Sequence, residues 1–214
     1  MPRSLPLLLF ALLAAGAPPV RGAGLQVNLI DGKGAPVEDA VVSLVPLDAA
    51  PLAVTSAPPP EIVQQGEQFT PFVTAVQAGS TVVFPNRDKV LHHVYSLSKP
   101  KKFELPLYSP GQAERIVFDQ PGLVTLGCNI HDWMLAYLVV VPTPYFAKTG
   151  SPGSVALTAP PGRYRLEIWH PRLAALLTSE LSLGEGGVTP LDFTLQLKPD
   201  RRIRRAPGAK ATGY

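Results

Sequence analysis

Two apolar runs with strand character, Gly122-Leu-Val-Thr-Leu-Gly-Cys128 and Leu135-Ala-Tyr-Leu-Val-Val-Val141, are separated by only six residues. The chain between them must form a tight connection, and it carries chemistry at its start, middle and end. Cys128, His131 and Met134 follow the spacing C-x2-H-x2-M, and Cys128 is the only cysteine in 214 residues. Soft sulfur donors with imidazole select copper, and a thiolate, two imidazoles and a distant thioether make an electron-transfer copper centre. The second imidazole has to come from elsewhere, and His92-His93 offers it. The competing reading is a buried cysteine acting as a small hydrophobe, a surface histidine and a core methionine. The histidine pair upstream weighs against it.

Helical periodicity is scarce beyond the first residues. Short Val/Leu/Ile/Phe runs between turns are common, with 25 prolines and 18 glycines to punctuate them. This pattern predicts an all-β chain of sandwich type. The net charge of +3 is unevenly distributed: residues 198–214 contribute +5 and the first 23 residues +2, leaving −4 on the body between them. The basicity therefore belongs to a tail, and no interleaving of aromatic and basic residues marks a nucleic-acid surface. A single cysteine cannot close an internal disulfide. In an exported chain such a thiol is reactive, paired between chains or held by a metal.

Residues 1–23 read as a cleaved signal peptide. Arg3 precedes the apolar run Leu5–Ala15, and Val20-Arg21-Gly22 suits cleavage near Gly22 to Gly24. The run is too short for a membrane span, and a periplasmic location is expected. Residues 25–60 hold two strands around the turn Asp31-Gly-Lys-Gly34 and then a Pro/Ala-rich linker. Residues 61–142 form a second β unit carrying both histidine-bearing stretches. Within it, Ser98–Pro110 with Lys99, Lys101 and Lys102 reads as a solvated loop. Residues 143–197 hold further alternating runs at Ser154–Leu157, Arg163–Ile168 and Leu191–Leu197, and residues 198–214 read as a basic disordered tail.

In the middle unit, Phe69-x-Pro71 with Ala78-Gly79-x-x-Val82-x-Phe84, then Asn86-x-Asp88-x-Val90-x-His92-x-Val94, then Cys128-x2-His131-x2-Met134, occur in one order within one β unit. This succession resembles the cupredoxins, the blue-copper proteins, whose fold is a Greek-key β-sandwich. The last spacing is similar to the short ligand loop of amicyanin, shorter than that of plastocyanin or azurin. The resemblance implies one type 1 copper held by His92, Cys128, His131 and Met134. Adjacent side chains of a strand point to opposite faces, so His92 and His93 cannot easily share one ion. Gly127 departs from the bulky residue that relatives carry before the cysteine.

The flanks resemble a different family. Leu25–Pro46, with Asp31-Gly-Lys-Gly-Ala-Pro-Val-Glu-Asp-Ala-Val-Val-Ser-Leu44, looks like the opening of a carboxypeptidase-regulatory-like domain, a small transthyretin-like β-sandwich. Pro161-Gly162-x-Tyr164-x-Leu166 and Leu191–Leu195 look like its later half. The cupredoxin then stands as an insertion in this sandwich. The whole arrangement resembles methylamine utilisation proteins, through the Asn129–Met134 run and Tyr164-Arg-Leu-Glu-Ile-Trp-His-Pro171. What this implies is a non-enzymatic carrier of single electrons between redox protein partners, a dehydrogenase or a cytochrome c, with no nucleic acid and no membrane span. The alternative is a copper-containing binding or assembly module. Catalysis is disfavoured, because four protein ligands leave no open position and four histidines are too few for a trinuclear cluster.

Overall fold

The computed structural model describes residues 22–48, 53–54 and 58–202. The signal peptide expected over 1–23 lies outside these apart from Gly22 and Ala23, and so do residues 203–214 of the tail. The described residues form sixteen strands. β1 (Ala23–Asp31) and β2 (Val41–Pro46) come first. The middle of the chain holds β3 (Val63–Gln64), β4 (Phe69–Thr70), β5 (Val73–Gln77), β6 (Ser80–Pro85), β7 (His92–Ser96), β8 (Phe103–Tyr108), β9 (Ala113–Phe118), β10 (Gly122–Gly127) and β11 (Leu135–Val141). β12 (Phe146–Lys148), β13 (Ser154–Ala159), β14 (Gly162–Trp169), β15 (Leu177–Leu183) and β16 (Val188–Leu195) close it. The architecture is all-β, as the turn-punctuated apolar runs predict.

The first two strands pair with the last five. β1 lies between β13 and β16, and β2 lies between β12 and β14, with β15 outside. Alternation decides which side chains face inward: Leu25, Val27 and Leu29 of β1 are buried, while Gly24, Gln26 and Asn28 are half-buried and Ile30 is exposed. They share one core with Leu44, Val155, Leu157, Leu166, Ile168 and Leu195. Two sheets thus cover each other, and the chain from residue 47 to 145 runs between strands of this one sandwich.

The intervening chain builds its own core. One sheet has the order β5-β11-β10-β7-β8, and β6 pairs with β9 opposite it. Phe84, Phe118, Val94, Leu126, Ala136 and Leu138 fill the space between them, together with Cys128 and Met134. β10 and β11 pair antiparallel from Gly122–Val140 to Gly127–Leu135. The candidate loop is therefore the connection of a central hairpin, anchored at both ends by a regular ladder. A third apolar cluster joins the two bodies: Val41, Val73, Val139 and Val141 are buried, with Phe72, Tyr137, Phe146 and Trp169 packed against them.

Three segments differ from the sequence expectation. The solvated loop expected over Ser98–Pro110 is half strand: Lys99 and Lys102 are exposed, but β8 pairs with β7 along Phe103–Tyr108. Pro106 hid it, because a proline breaks a ladder. The ladder does shift register here, with His92 opposite Tyr108 but Val94 opposite Leu105. β15 was hidden by polarity, since Thr178, Ser179 and Glu180 are all exposed on an edge strand. The tail, expected to lack structure from Lys198 on, is docked as far as Arg202. Lys198 N–H donates to the Arg172 carbonyl, and the Arg202 guanidinium lies 4.0 Å over the ring of Phe72.

Candidate metal centre

The first histidine loop, residues 86–92, is shaped by one buried amide. Asn86 Oδ1 accepts the Asp88 N–H at 3.0 Å, a local turn of the kind Asn favours. Asn86 Nδ2 donates to the carbonyls of Val90 (2.9 Å) and Tyr108 (3.2 Å). The loop is thereby folded back and delivers His92 to the start of β7. Tyr108, opposite His92, donates its hydroxyl to the Phe84 carbonyl at 3.0 Å and is also bonded to Gln64. Burial pushes the Tyr108 phenol up to about 12, so it stays protonated and able to donate.

The second loop turns tightly after Cys128. Met134 N–H donates to the His131 carbonyl at 2.9 Å, which closes the turn between the last two candidate donors. Cys128 and Met134 are buried to 3% and 2% exposure and line one cavity. His131, between them in the loop, is half-buried.

The two loops meet. One donor atom each from His92, Cys128 and His131 lies within 4.8 Å of the other two. Cys128 Sγ is 3.8 Å from His131 Nδ1, and the two imidazole rings are 5.0 Å apart, centre to centre. His92 is fully buried. Its Nε2 donates to Asp88 Oδ2 at 2.7 Å, while its Nδ1 is buried with no hydrogen-bond partner. A buried polar nitrogen without a partner is costly in an ordinary core, and one facing a thiol and a second imidazole fits a ligand position. Two imidazoles and a thiol suit copper among the metals that accept soft donors. The donor set of His92, Cys128 and His131 therefore fits a copper ion.

The electrostatics point the same way. Burial raises the Cys128 thiol, but the approach of His92 and hydrogen bonds from the backbone N–H groups of His93, Ile130 and His131 outweigh it, leaving the thiol below its usual value. Burial likewise opposes charge on His92, and Cys128 and Asp88 overcome it, so His92 is raised. Burial also works against the Asp88 carboxylate, and the bonds from Glu67, His92 and Gly66 leave it lowered. A thiolate is the ligand form of cysteine, and the backbone N–H groups around the sulfur favour it.

His93 takes the other face of β7, as alternation requires. It is buried, and its Nε2 donates to Glu104 Oε1 at 3.1 Å. His170 lies elsewhere, in the cleft between the two bodies, where its Nδ1 accepts the Arg172 N–H at 3.2 Å. In the sequence Asp88 stands only as part of the first-loop motif, and Trp133 only as an apolar neighbour of His131. Asp88 is four residues before His92, a spacing that could have marked it as the partner of the ring. Trp133 Nε1 donates to the carbonyl of Glu67 at 3.0 Å, a contact across 66 residues that no local pattern announces.

No protein-family model matches the chain, and no curated protein does. Among solved structures, it is similar to a copper-containing nitrite reductase from Thermus scotoductus, with 29% identity over 46% of this chain and 28% of that one, at a TM-score of 0.39. It is also similar to a purple cupredoxin from Nitrosopumilus maritimus, with 22% identity over 39% of this chain and 100% of that one, at 0.35. A third is the reduced Cu(I) form at pH 4 of an amicyanin variant, with 19% identity over 47% of this chain and 98% of that one, at 0.37. The chain thus spans under a third of the nitrite reductase and nearly all of the two small copper proteins, and each match leaves more than half of this chain uncovered.

Proposed function

We propose that the protein is a type 1 copper protein of the cupredoxin kind, carrying single electrons between redox partners in the periplasm. One observation carries the reading: His92, Cys128 and His131 converge from two separate loops around a buried imidazole nitrogen that has no other partner. Met134, buried in the same core as Cys128, would supply a thioether to the same metal. Copper held there supplies a one-electron couple.

The residues of the chain do the rest. Asp88 fixes the His92 tautomer with the proton on Nε2, leaving Nδ1 for the site. The N–H groups of His93, Ile130 and His131 stabilise negative charge on sulfur. Leu126, Val94 and Phe84 are fully buried in the same core and help keep water from the inner side. Exposed Val90 and Leu91 on the first loop and Ile130 on the second give an apolar edge beside the half-buried His131. A small apolar contact suits weak, rapidly exchanging redox encounters.

The strands that flank the copper unit are read as a transthyretin-like, carboxypeptidase-regulatory-like sandwich that the cupredoxin interrupts. A dehydrogenase or cytochrome c as partner, and methylamine or related oxidation as setting, rest on the sequence resemblance. Copper-loaded, oxidised protein is expected to show an intense thiolate-to-copper band in the visible and a reversible one-electron titration. Protein that takes up copper yet stays colourless and redox-silent would sink the reading. The Cys128→Ser variant separates it from a binding or assembly module: electron transfer is lost with partner binding intact if the protein is a carrier, and function is unchanged if it is a module.

A further inference from the structure

One short hairpin reaches both ligand loops. β3 and β4 are joined by a turn that Gln65 N–H closes on the Gln68 carbonyl at 3.0 Å. At its tip Gly66 and Glu67 both have positive φ, 64° and 53°. Their N–H groups donate to the two carboxylate oxygens of Asp88, at 2.6 and 2.8 Å. Asp88 in turn holds His92 at 2.7 Å. The carbonyl of the same Glu67 accepts the indole N–H of Trp133, which stands between His131 and Met134. The path His92–Asp88–Glu67–Trp133 therefore crosses from the first loop to the second through the backbone of one residue. The base of the hairpin is tied to the first loop as well, by Arg87 N–H to the Gln64 carbonyl at 2.9 Å. A non-glycine residue in the left-handed region is strained, and such strain persists only where surrounding contacts over-determine it.

We propose that the Gly66–Glu67 turn is a clasp that sets the spacing of the two ligand loops before any metal arrives, with Asp88, Glu67 and Trp133 as positioning residues. Its purpose rests on the metal-site reading above, but the coupling belongs to the metal-free protein and is tested there. Native-state hydrogen exchange on metal-free protein follows three protons: the amides of Gly66 and Glu67 and the indole N–H of Trp133. The clasp requires that they open together, with one shared denaturant dependence. Trp133→Phe, which removes the indole donor and keeps a ring, should speed exchange at both amides about tenfold, the size of one lost hydrogen bond. Asp88→Asn should speed the Trp133 indole proton in the wild-type ring by a similar factor.

If each substitution alters only the proton it touches, or the wild-type protons open independently, the clasp is wrong. Should either variant fail to fold by circular dichroism, the wild-type measurement decides alone. Copper loading is read separately. In the loaded protein, Trp133→Phe should shift the visible band, which a merely structural loss of stability would not do. Shared opening without copper uptake would leave the clasp standing and remove the copper reading. A visible copper band with independent opening would do the reverse.

Discussion

Asn86 is 1% exposed and commits its whole amide to the first ligand loop, accepting from Asp88 N–H and donating to the carbonyls of Val90 and Tyr108. Leucine at this position has similar bulk but strands one donor and two acceptors. Each buried group left without a partner costs roughly 1–3 kcal/mol. Asn86→Leu is therefore expected to lose about 3 kcal/mol in urea denaturation. It should also weaken copper retention in a competition titration, because the loop that presents His92 is no longer held. Asn86→Asp keeps the acceptor for Asp88 N–H and sets carboxylate oxygen against two carbonyls, so it should be nearly as damaging. Wild-type stability in both variants would mean that the loop is held by its other bonds, the Asn86 N–H to Gln112 and the Gly111 N–H to Asn86 among them.

At the scale of strands and turns, two glycines show how the neighbour decides the cost of a side chain. A Cβ on Gly127 would come within 2.9 Å of two ring carbons and the hydroxyl oxygen of Tyr95, a half-buried side chain that can swing aside. A Cβ on Gly153 would meet the Leu29 carbonyl oxygen at 2.6 Å and the Val37 nitrogen at 2.7 Å, at a φ of +66°. Both neighbours there are backbone, and the Gly153 carbonyl accepts the Leu29 N–H at 2.7 Å. Gly153→Ala should cost about 3 kcal/mol, read as a lower Tm for the sandwich of β1, β2 and β12–β16. Gly127→Ala should cost under about 1 kcal/mol. Equal losses would mean that Tyr95 is as fixed as the backbone around Gly153.

The same contrast between local and distant neighbours explains what could be read in the sequence. Runs whose burial alternates or is continuous, such as Leu25–Asp31, Thr81–Phe84 and Leu135–Val141, carry their fold in their own residues. β8 and β15 do not, being edge strands recognisable only through the partner they pair with. The donor set was legible because rare residue types sit at short spacing around tight turns. The hairpin tip was not, because backbone N–H and C=O groups make its contacts and every residue has those.

Across the whole molecule, the two bodies and the start of the tail enclose His170. Its cleft is lined by Phe72 and Tyr137 of the copper unit, by Asp39 and Arg172 of the sandwich, and by Lys198 and Asp200 of the tail. Tyr137 packs its ring 5.5 Å from that of Trp169, the residue before His170. His170 is 6% exposed, and its Nδ1 is already an acceptor for the Arg172 N–H. Burial, reinforced by the Arg172 charge, lowers it to about 4, with Asp39, the Glu38 backbone and Asp200 pulling the other way. The unfolded chain takes up this proton near pH 6.5, and the folded chain refuses it until about 4. Between those values the unfolded state binds more protons, so stability falls as pH falls. From pH 7 to pH 5 the loss from this one group is about 2 kcal/mol. His92 acts in the opposite direction in metal-free protein, since its raised value stabilises the fold on the acid side. The two are separated by comparing wild type with His170→Asn in urea at both pH values, because the His92 contribution cancels in the difference. The wild type should lose about 2 kcal/mol more than the variant between pH 7 and pH 5. Parallel pH curves would mean that His170 is reached by water and protonates in place, and that the cleft does not close the two bodies and the tail around it.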